Sequence, residues 1–447
     1  MATSVMWFRR DLRLNDSSAV AAALQSADDV VPLFVLDDRL RGNSGTPRLA
    51  FMYRALRALD ESLGGRLVVR TGDPGAVVPA VAREVEASSV FCTGETEPYG
   101  SDRDNRVEVA ARSFGIELQR VDSPYAVEPG SILKTDGTPF AVFSPFSRAW
   151  QAHGWGRPQA LPEDPRWADL QSESIPEDPK LEADLMPAGE VAALDRLDRF
   201  LERDAGAYRD ARNDPGAART SRLSVYLKFG CIHPRTILAR LDGSQSAGVF
   251  RNELCWREFY ADVLFHHPES LGHSLQPRMA TMQLDEGLDA DRRFEAWGAG
   301  QTGYPLVDAG MRQLRAEAYM HNRVRMVVAS FLVKDLHIDW TRGADFFMEH
   351  LQDGDLASNA HGWQWVAGTG TDAAPYFRVF NPTLQAKKFD PDGVYIRRWV
   401  PELRNLPDKL LFEPWKAPGG PPDGYPAPIV DHGEERAESL RRYAALG

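Results

Sequence analysis

The chain has 447 residues, 43% hydrophobic and 26% charged, an ordinary balance for a protein with two or three domains and sizeable cores. A formal net charge of -12 argues against a protein that coats nucleic acid non-specifically, while leaving room for a local basic face. The first ten residues lack the apolar core of a signal peptide, and no apolar run approaches the ~18 residues of a membrane span. Three scattered cysteines, Cys92, Cys231 and Cys255, fit neither a disulfide framework nor a zinc spacing, so a reducing cytoplasm is expected.

In chain order, residues 4–8, 30–36, 66–69 and 89–91 are short apolar runs that predict buried strands. Between them, 18–24, 48–63 and 76–86 carry helical spacing. That alternation predicts a parallel, doubly wound α/β sheet. No G-x-G-x-x-G follows the first strand, which argues against a dinucleotide-binding half but leaves the C-terminal edge of the sheet able to hold a flat ligand. From about Pro124 to Ala193 the chain is rich in proline and glycine, with Pro158, Pro162, Pro165, Pro176 and Pro179, as expected of a connector wrapping a surface. Beyond it the pattern is helical with almost no strand signals. The expected division is an α/β domain over 1–130, a linker over 131–190 and an all-α domain over 191–447.

Four segments of the helical half carry chemistry. In Thr220-Ser221-Arg222-Leu223-Ser224, hydroxyl residues open an apolar segment that Gly230 closes. By themselves they cap a helix; beside Arg222 they also suit a pyrophosphate. On a helix, Glu253, Trp256, Arg257 and Tyr260 share one face. That is either a Glu–Arg pair beside a packed indole or a surface that reads a base by stacking and hydrogen bonding. Val324, Val328, Phe331 and Leu332 form a buried stripe, with Asn322, Arg325 and Met326 on a neighbouring face. A buried Arg325 needs a carboxylate, and Asp353-Gly354-Asp355 can supply one; a metal site there lacks further oxygen ligands. Last, Trp363-Gln364-Trp365 precedes a glycine-rich loop, unusual for a simple core. The chain holds eleven tryptophans, more than packing alone needs.

Taken in order, these strings resemble the DNA photolyase/cryptochrome family, and closely its class I cyclobutane pyrimidine dimer photolyases. Trp7 to Arg13 at the start, Thr302 to Ala309, Met320 to Arg323, and Phe380-Asn381-Pro382 carry the resemblance further. It implies an α/β antenna domain, a linker and an all-helical domain holding FAD. By position, Tyr208 and Thr220, Ser221, Arg222, Leu223 and Ser224 would hold the FAD phosphates and ribityl chain. Asn322, Arg325, Asp353, Gly354, Asp355 and Asn359 would surround the isoalloxazine, with Asn359 facing N5. Glu253 would hydrogen-bond the dimer, Trp256 and Trp365 would stack around it, and Met326 would touch it. Arg257, Arg323 and Arg378 would meet DNA phosphates, and Trp363, Trp340 and Trp297 match the family's electron-transfer triad. Tyr319, in place of a common tryptophan, and Ala360-His361, in place of Asn-Gly, depart from the pattern near the flavin.

The reaction implied is light-driven repair of pyrimidine dimers by electron transfer, in which a flipped dinucleotide is held dry against the cofactor. Glu253 is most useful there in its protonated form. Residues 95–104 resemble relatives with an 8-hydroxy-deazaflavin antenna rather than a methenyltetrahydrofolate one, with Phe34, Arg48, Glu95 and Lys228 as contacts by position. The expected partner is dimer-containing DNA, the expected state a monomer. The rivals are a cryptochrome-like blue-light receptor without repair activity and, more remotely, a nucleotide-binding α/β enzyme with a structural helical half. Met326, Asn359, Trp365 and the lack of a long tail speak against the receptor.

Overall fold

Ser4-Val5-Met6-Trp7-Phe8 is apolar without alternation, and such a run is stable only as a strand covered on both faces. In the computed structural model, which describes residues 2–371 and 377–446, it forms the central strand β1 (Thr3–Phe8). β2 (Asp29–Leu36), β3 (Val68–Thr71), β4 (Ser89–Cys92) and β5 (Glu117–Arg120) complete an all-parallel sheet in the order β3-β2-β1-β4-β5. Val5 lies opposite Val31 on one side and Val90 on the other. The four apolar strands match the expectation. β5 does not show in the sequence, because Glu117-Leu118-Gln119-Arg120 is a polar edge strand with little apolar pattern to read.

The chain forms two compact units whose boundaries differ from the expected division. One holds the sheet together with residues up to 181, 186–206 and 221–268; the other holds 182–185, 207–220 and the residues from 269 onward. The physical reason lies in the long helix Gln245–His266, which belongs to the sheet's unit. Its Glu258 accepts from the N–H groups of Ala126 (2.6 Å) and Val127 (3.1 Å) and from Trp150 Nε1 (2.5 Å), and its Asp262 accepts from Gly130 N–H (2.8 Å). The connector is thus stitched to a helix lying far along the chain. Further on it runs beside the sheet, where Ala168 N–H donates to the Val30 carbonyl and Glu173 N–H to the Val69 carbonyl.

The second unit is helical. Its core is built on Pro305–Glu317, Asn322–Lys334, Trp340–His350 and Leu356–Ala367. Val324, Val328, Phe331 and Leu332 are the buried stripe the spacing predicts. The terminal helix His432–Ala444 is held by His432 on Asp335 (2.5 Å), His337 on Glu435 (2.7 Å) and Arg442 on Asp285 (2.8 Å). No described helix is long and apolar enough to cross a membrane.

Candidate functional site

The sheet order changes direction between β1 and β4, and in parallel sheets the crevice beyond such a switch point is where ligands bind. Here that edge carries a dense charge network. Arg9 donates to Asp104 (2.5 Å) and to the Thr93 carbonyl, Arg103 pairs with Asp104 (2.9 Å), and Thr93 Oγ1 donates to Asp11 (2.6 Å). The guanidinium groups of Arg9 and Arg103 lie 4.4 and 5.0 Å from the centre of the buried Trp7 ring. Arg10 pairs with Glu97 and, at 3.5 Å, with Glu95. Burial alone would raise the Glu95 carboxyl, but Arg10, Arg103 and Arg9 hold it below the usual range.

Of the other expected antenna contacts, Phe34 and Arg48 are buried and Lys228 is half-buried. Phe51, one turn beyond Arg48 on the helix Thr46–Ser62, stacks on Phe229, the residue after Lys228, at 4.9 Å.

In the same unit, residues 221–223 lead into the short helix Ser224–Phe229, ended by Gly230 at φ +65°. Only glycine fits there, since a Cβ would lie 1.9 Å from the Arg10 carbonyl oxygen. Arg196 Nε donates to the Ser221 carbonyl (2.6 Å), and Arg222 is held at φ +53°. A non-glycine residue in that region costs on the order of 1 kcal/mol or more, and such strain collects at ligand clamps. Ser224 is exposed at the start of its helix. The two remaining members of this set fall in the second unit, Tyr208 buried in a short helix and Thr220 half-buried.

Glu253 and Trp256 are half-buried on the helix Gln245–His266, and Trp256 stacks on Phe143 at 3.7 Å with the planes 4° apart. Arg257 takes another role. It donates to the carbonyls of Pro124 (3.2 Å) and Leu227 (3.3 Å) and lies over the Tyr125 ring (4.3 Å). The expected phosphate contact therefore finds no support at Arg257, whose guanidinium clamps the connector instead.

In the helical unit, Arg325 Nη2 donates to both oxygens of Asp353 (3.0 and 2.9 Å), Arg325 Nε donates to the Met320 carbonyl (2.7 Å), and Tyr319 lies beneath the same guanidinium (5.3 Å). Asp353 is buried, so this is the carboxylate partner that the sequence requires. After Gly354 the backbone turns, and Asp355 caps the helix Leu356–Ala367 by accepting from Ser358 N–H (3.0 Å). Asp355, Asn359 and Trp363 then follow at i, i+4 and i+8 on one face.

Asn359 Nδ2 donates to the Ala344 carbonyl (2.9 Å), which leaves its own oxygen as an acceptor. Trp363 Nε1 is buried without a hydrogen-bond partner. A helix face that carries an open acceptor and an unmet buried donor is a face built for a ligand. Asn322 is exposed at the start of the helix Asn322–Lys334. The other departure, His361, points away from this face. Its ring bonds Ser270 Oγ (3.0 Å) and the Ala357 carbonyl (2.8 Å), so it anchors the loop after residue 269 rather than sitting beside a ring ligand.

Trp297 and Trp363 meet edge to face at 6.2 Å. Trp363 lies on Gly343, where a Cβ would come within 2.2 Å of the indole, and Trp340 begins that glycine's helix. Trp297 is fully buried and Trp340 nearly so. Arg323 donates to Asn213 Oδ1 (3.1 and 2.7 Å) and to Met326 Sδ (3.5 Å), while Arg378 is exposed. Trp365 is half-buried against the helical core and lines a pocket with Arg378.

Two buried groups escaped the sequence reading. Glu258 looks like one more acid on a helix. Lys334 sits in the apolar run Phe331-Leu332-Val333-Lys334, and that setting is the one signal that pointed to a buried amine.

Comparison with known proteins agrees with this layout. Residues 4–166 match the DNA photolyase family, and residues 250–445 match the FAD binding domain of DNA photolyase. A deoxyribodipyrimidine photo-lyase of Halobacterium salinarum is 40% identical, with 98% of each chain covered. Among solved structures, a bacterial class III photolyase from Agrobacterium tumefaciens superposes with a TM-score of 0.94 at 37% identity, covering 100% of this chain and 98% of the other. A cryptochrome of Synechocystis sp. PCC6803 does so with a TM-score of 0.90 at 29% identity, covering 99% of each. The chain belongs to the DNA photolyase family.

Proposed function

We propose that this protein binds FAD and uses light to reverse cyclobutane pyrimidine dimers in DNA as a deoxyribodipyrimidine photo-lyase. The observation that carries the reading is the Asp355–Asn359–Trp363 face beside the Arg325–Asp353 pair. Its open acceptor at Asn359 and unmet donor at Trp363 suit the polar edge of a flavin. When bound, FAD supplies the light absorption and the transferable electron.

The chain's own residues do the rest. Asn359 Oδ1 accepts from a ring N–H and, being an amide, cannot take up that proton. Arg325, fixed by Asp353 and the Met320 carbonyl, keeps a positive charge near the ring. Asn322, Gly354 and Asp355 border the same ligand, and Tyr208 with Thr220 to Ser224 holds its phosphates. Glu253, protonated, donates to a thymine carbonyl as negative charge develops, Trp256 and Trp365 stack on the flipped dimer, and Met326 packs against it. Arg323 and Arg378 meet phosphates, so affinity falls as salt rises. Trp363, Trp340 and Trp297 relay the reducing electron.

Within the family we assign the chain to the class I dimer photolyases, acting as a cytoplasmic monomer. We also assign an 8-hydroxy-deazaflavin antenna contacted by Phe34, Arg48, Glu95 and Lys228. Purified protein with a near-blue absorption band that is lost on Arg48 and Lys228 substitution supports that antenna; a folate spectrum refutes it.

The test of function is illumination of the reduced protein with a dimer-containing oligonucleotide. Recovery of thymine absorbance is the expected result. The likeness to a cryptochrome supports a receptor as the second reading, and a yellow protein that leaves dimers intact after chemical reduction would establish it.

A further inference from the structure

An indole has two faces, and in Trp256 one of them is taken. Phe143 lies flat against it, with ring centres 3.7 Å apart and planes 4° from parallel. Two neighbours on the helix Gln245–His266 stand at an angle to the same indole, Phe259 at 5.8 Å and 74° and Tyr260 at 5.4 Å and 46°. Trp256 is still only half-buried. A ring stacked at contact distance leaves that opening to the opposite face.

Phe143 comes from the connector, at the first turn of the helix Phe143–His153. Phe143, Phe146 and Trp150 follow at i, i+3 and i+7 and share one face of it. All three meet the helix Gln245–His266. Phe143 touches Phe259 edge to face at 5.9 Å, Phe146 packs on Phe259 at 5.2 Å, and Trp150 Nε1 donates to Glu258 (2.5 Å). Phe146 and Trp150 are buried, so two turns of the connector helix are pinned in place. A ring carried on such a base does not swing aside as a lid does. It is a fixed backing.

The consequence is one of side-chain freedom. A half-buried tryptophan with an open face has other rotamers to visit, and a ligand that stacks on it must first freeze that motion, at a cost in affinity. A parallel ring behind the indole removes the freedom before the ligand arrives.

We infer that Phe143 is a positioning residue for dimer binding: it fixes the plane of Trp256 so that the open face is ready to stack on the flipped dimer. The inference rests on the repair reading for the identity of the ligand, while the fixed plane can be measured without DNA.

The experiment uses the full-length protein in the dark. Phe143→Leu and Phe143→Met remove the stacked ring and keep an apolar side chain; Phe143→Tyr keeps the ring. Phe143 is half-buried, and Phe146 and Trp150 still hold its helix, so these variants fold. Kd for an oligonucleotide with one dimer rises about 5-fold in the leucine and methionine variants, the worth of one aromatic pair, and stays at the wild-type value in Phe143→Tyr. Affinity for the undamaged oligonucleotide, and its fall with salt, stay the same because no charge is altered. In a Trp256→Leu background, Phe143→Leu changes dimer binding by less than about 2-fold, since the two residues act as one unit. Protein labelled with 5-fluorotryptophan gives the second readout. The Trp256 fluorine line, assigned by its loss in Trp256→Phe, is single in wild type and Phe143→Tyr and broadens or divides in Phe143→Leu. Dimer binding by Phe143→Leu that equals or exceeds wild type, equal weakening on both oligonucleotides, or a fluorine line unmoved by the substitution overturns the inference. A wild-type protein that binds both oligonucleotides alike while its fluorine line follows the variants upholds the fixed plane and refutes the repair reading instead.

Discussion

The crevice at the end of the sheet and the ligand face of the helical unit are both rich in polar groups, yet they differ in how much of their hydrogen bonding the protein itself supplies. At the sheet edge Arg9, Arg103, Asp104, Asp11 and Thr93 meet one another, and the buried Trp7 lies beneath two guanidinium groups. In the helical unit the Arg325–Asp353 pair is closed, while Asn359 and Trp363 keep polar atoms turned to no protein partner. The sheet-edge network meets most of its own polar atoms, though Asp104 Oδ2 is buried without a partner; on the ligand face of the helical unit the unmet buried atom is the Trp363 indole N–H, and that face also carries the Asn359 acceptor.

The largest expected effect lies on the closed side. Asp104→Ala leaves two buried arginines without their shared carboxylate and should cost about 3–5 kcal/mol in urea unfolding. Protein that still folds should keep its full flavin content, and a loss of flavin instead would erase the contrast between the two regions.

Glu258 sharpens the comparison through pH. Burial raises its carboxyl from an ordinary 4.5 to about 7, against the pull of Ala126 and Val127 N–H, Trp150 and Arg257. A carboxyl raised on folding binds more protons in the native state between those values, so its contribution to stability is full at low pH and is lost as pH rises through the window. The loss should reach about 3 kcal/mol by pH 7. Glu258→Gln should flatten that slope in denaturation curves taken from pH 5 to 8; an unchanged slope removes Glu258 as its source.

On the open side the effects shift from stability to ligand. Arg325→Met strands the Asp353 carboxylate, and partial exposure of Arg325 limits the cost to about 2 kcal/mol. Its main result should be loss of the flavin absorption, read as the ratio of visible to protein absorbance. Trp363→Phe comes last. The indole N–H has no protein partner to lose, so the stability change should stay near 1 kcal/mol. Light-driven reduction of the flavin should fall at least 10-fold all the same; reduction at the wild-type rate would take Trp363 out of the relay.

Where a property is local, the sequence displays it. The apolar runs that became β1, β2, β3 and β4, the stripe from Val324 to Leu332, and the glycine that ends the helix before residue 230 all follow from the few residues around them. So does the need of Arg325 for a carboxylate a short way downstream. β5 stayed hidden because an edge strand needs little apolar pattern, and the carbonyl acceptors of Arg257 stayed hidden because no motif announces a backbone partner.

By itself, then, the order of residues determined the fold class, the parallel sheet, the helical half and the strings that place the chain in its family. Those depend on periodicity and on side chains near in sequence. Only the tertiary structure decided which polar groups find partners, where Glu258 binds the connector, and that the Lys334 amine is buried. Burial and distance arise when segments a hundred or more residues apart are packed together, and they decide whether a given acid or amine is a surface charge, a latch or a binding group.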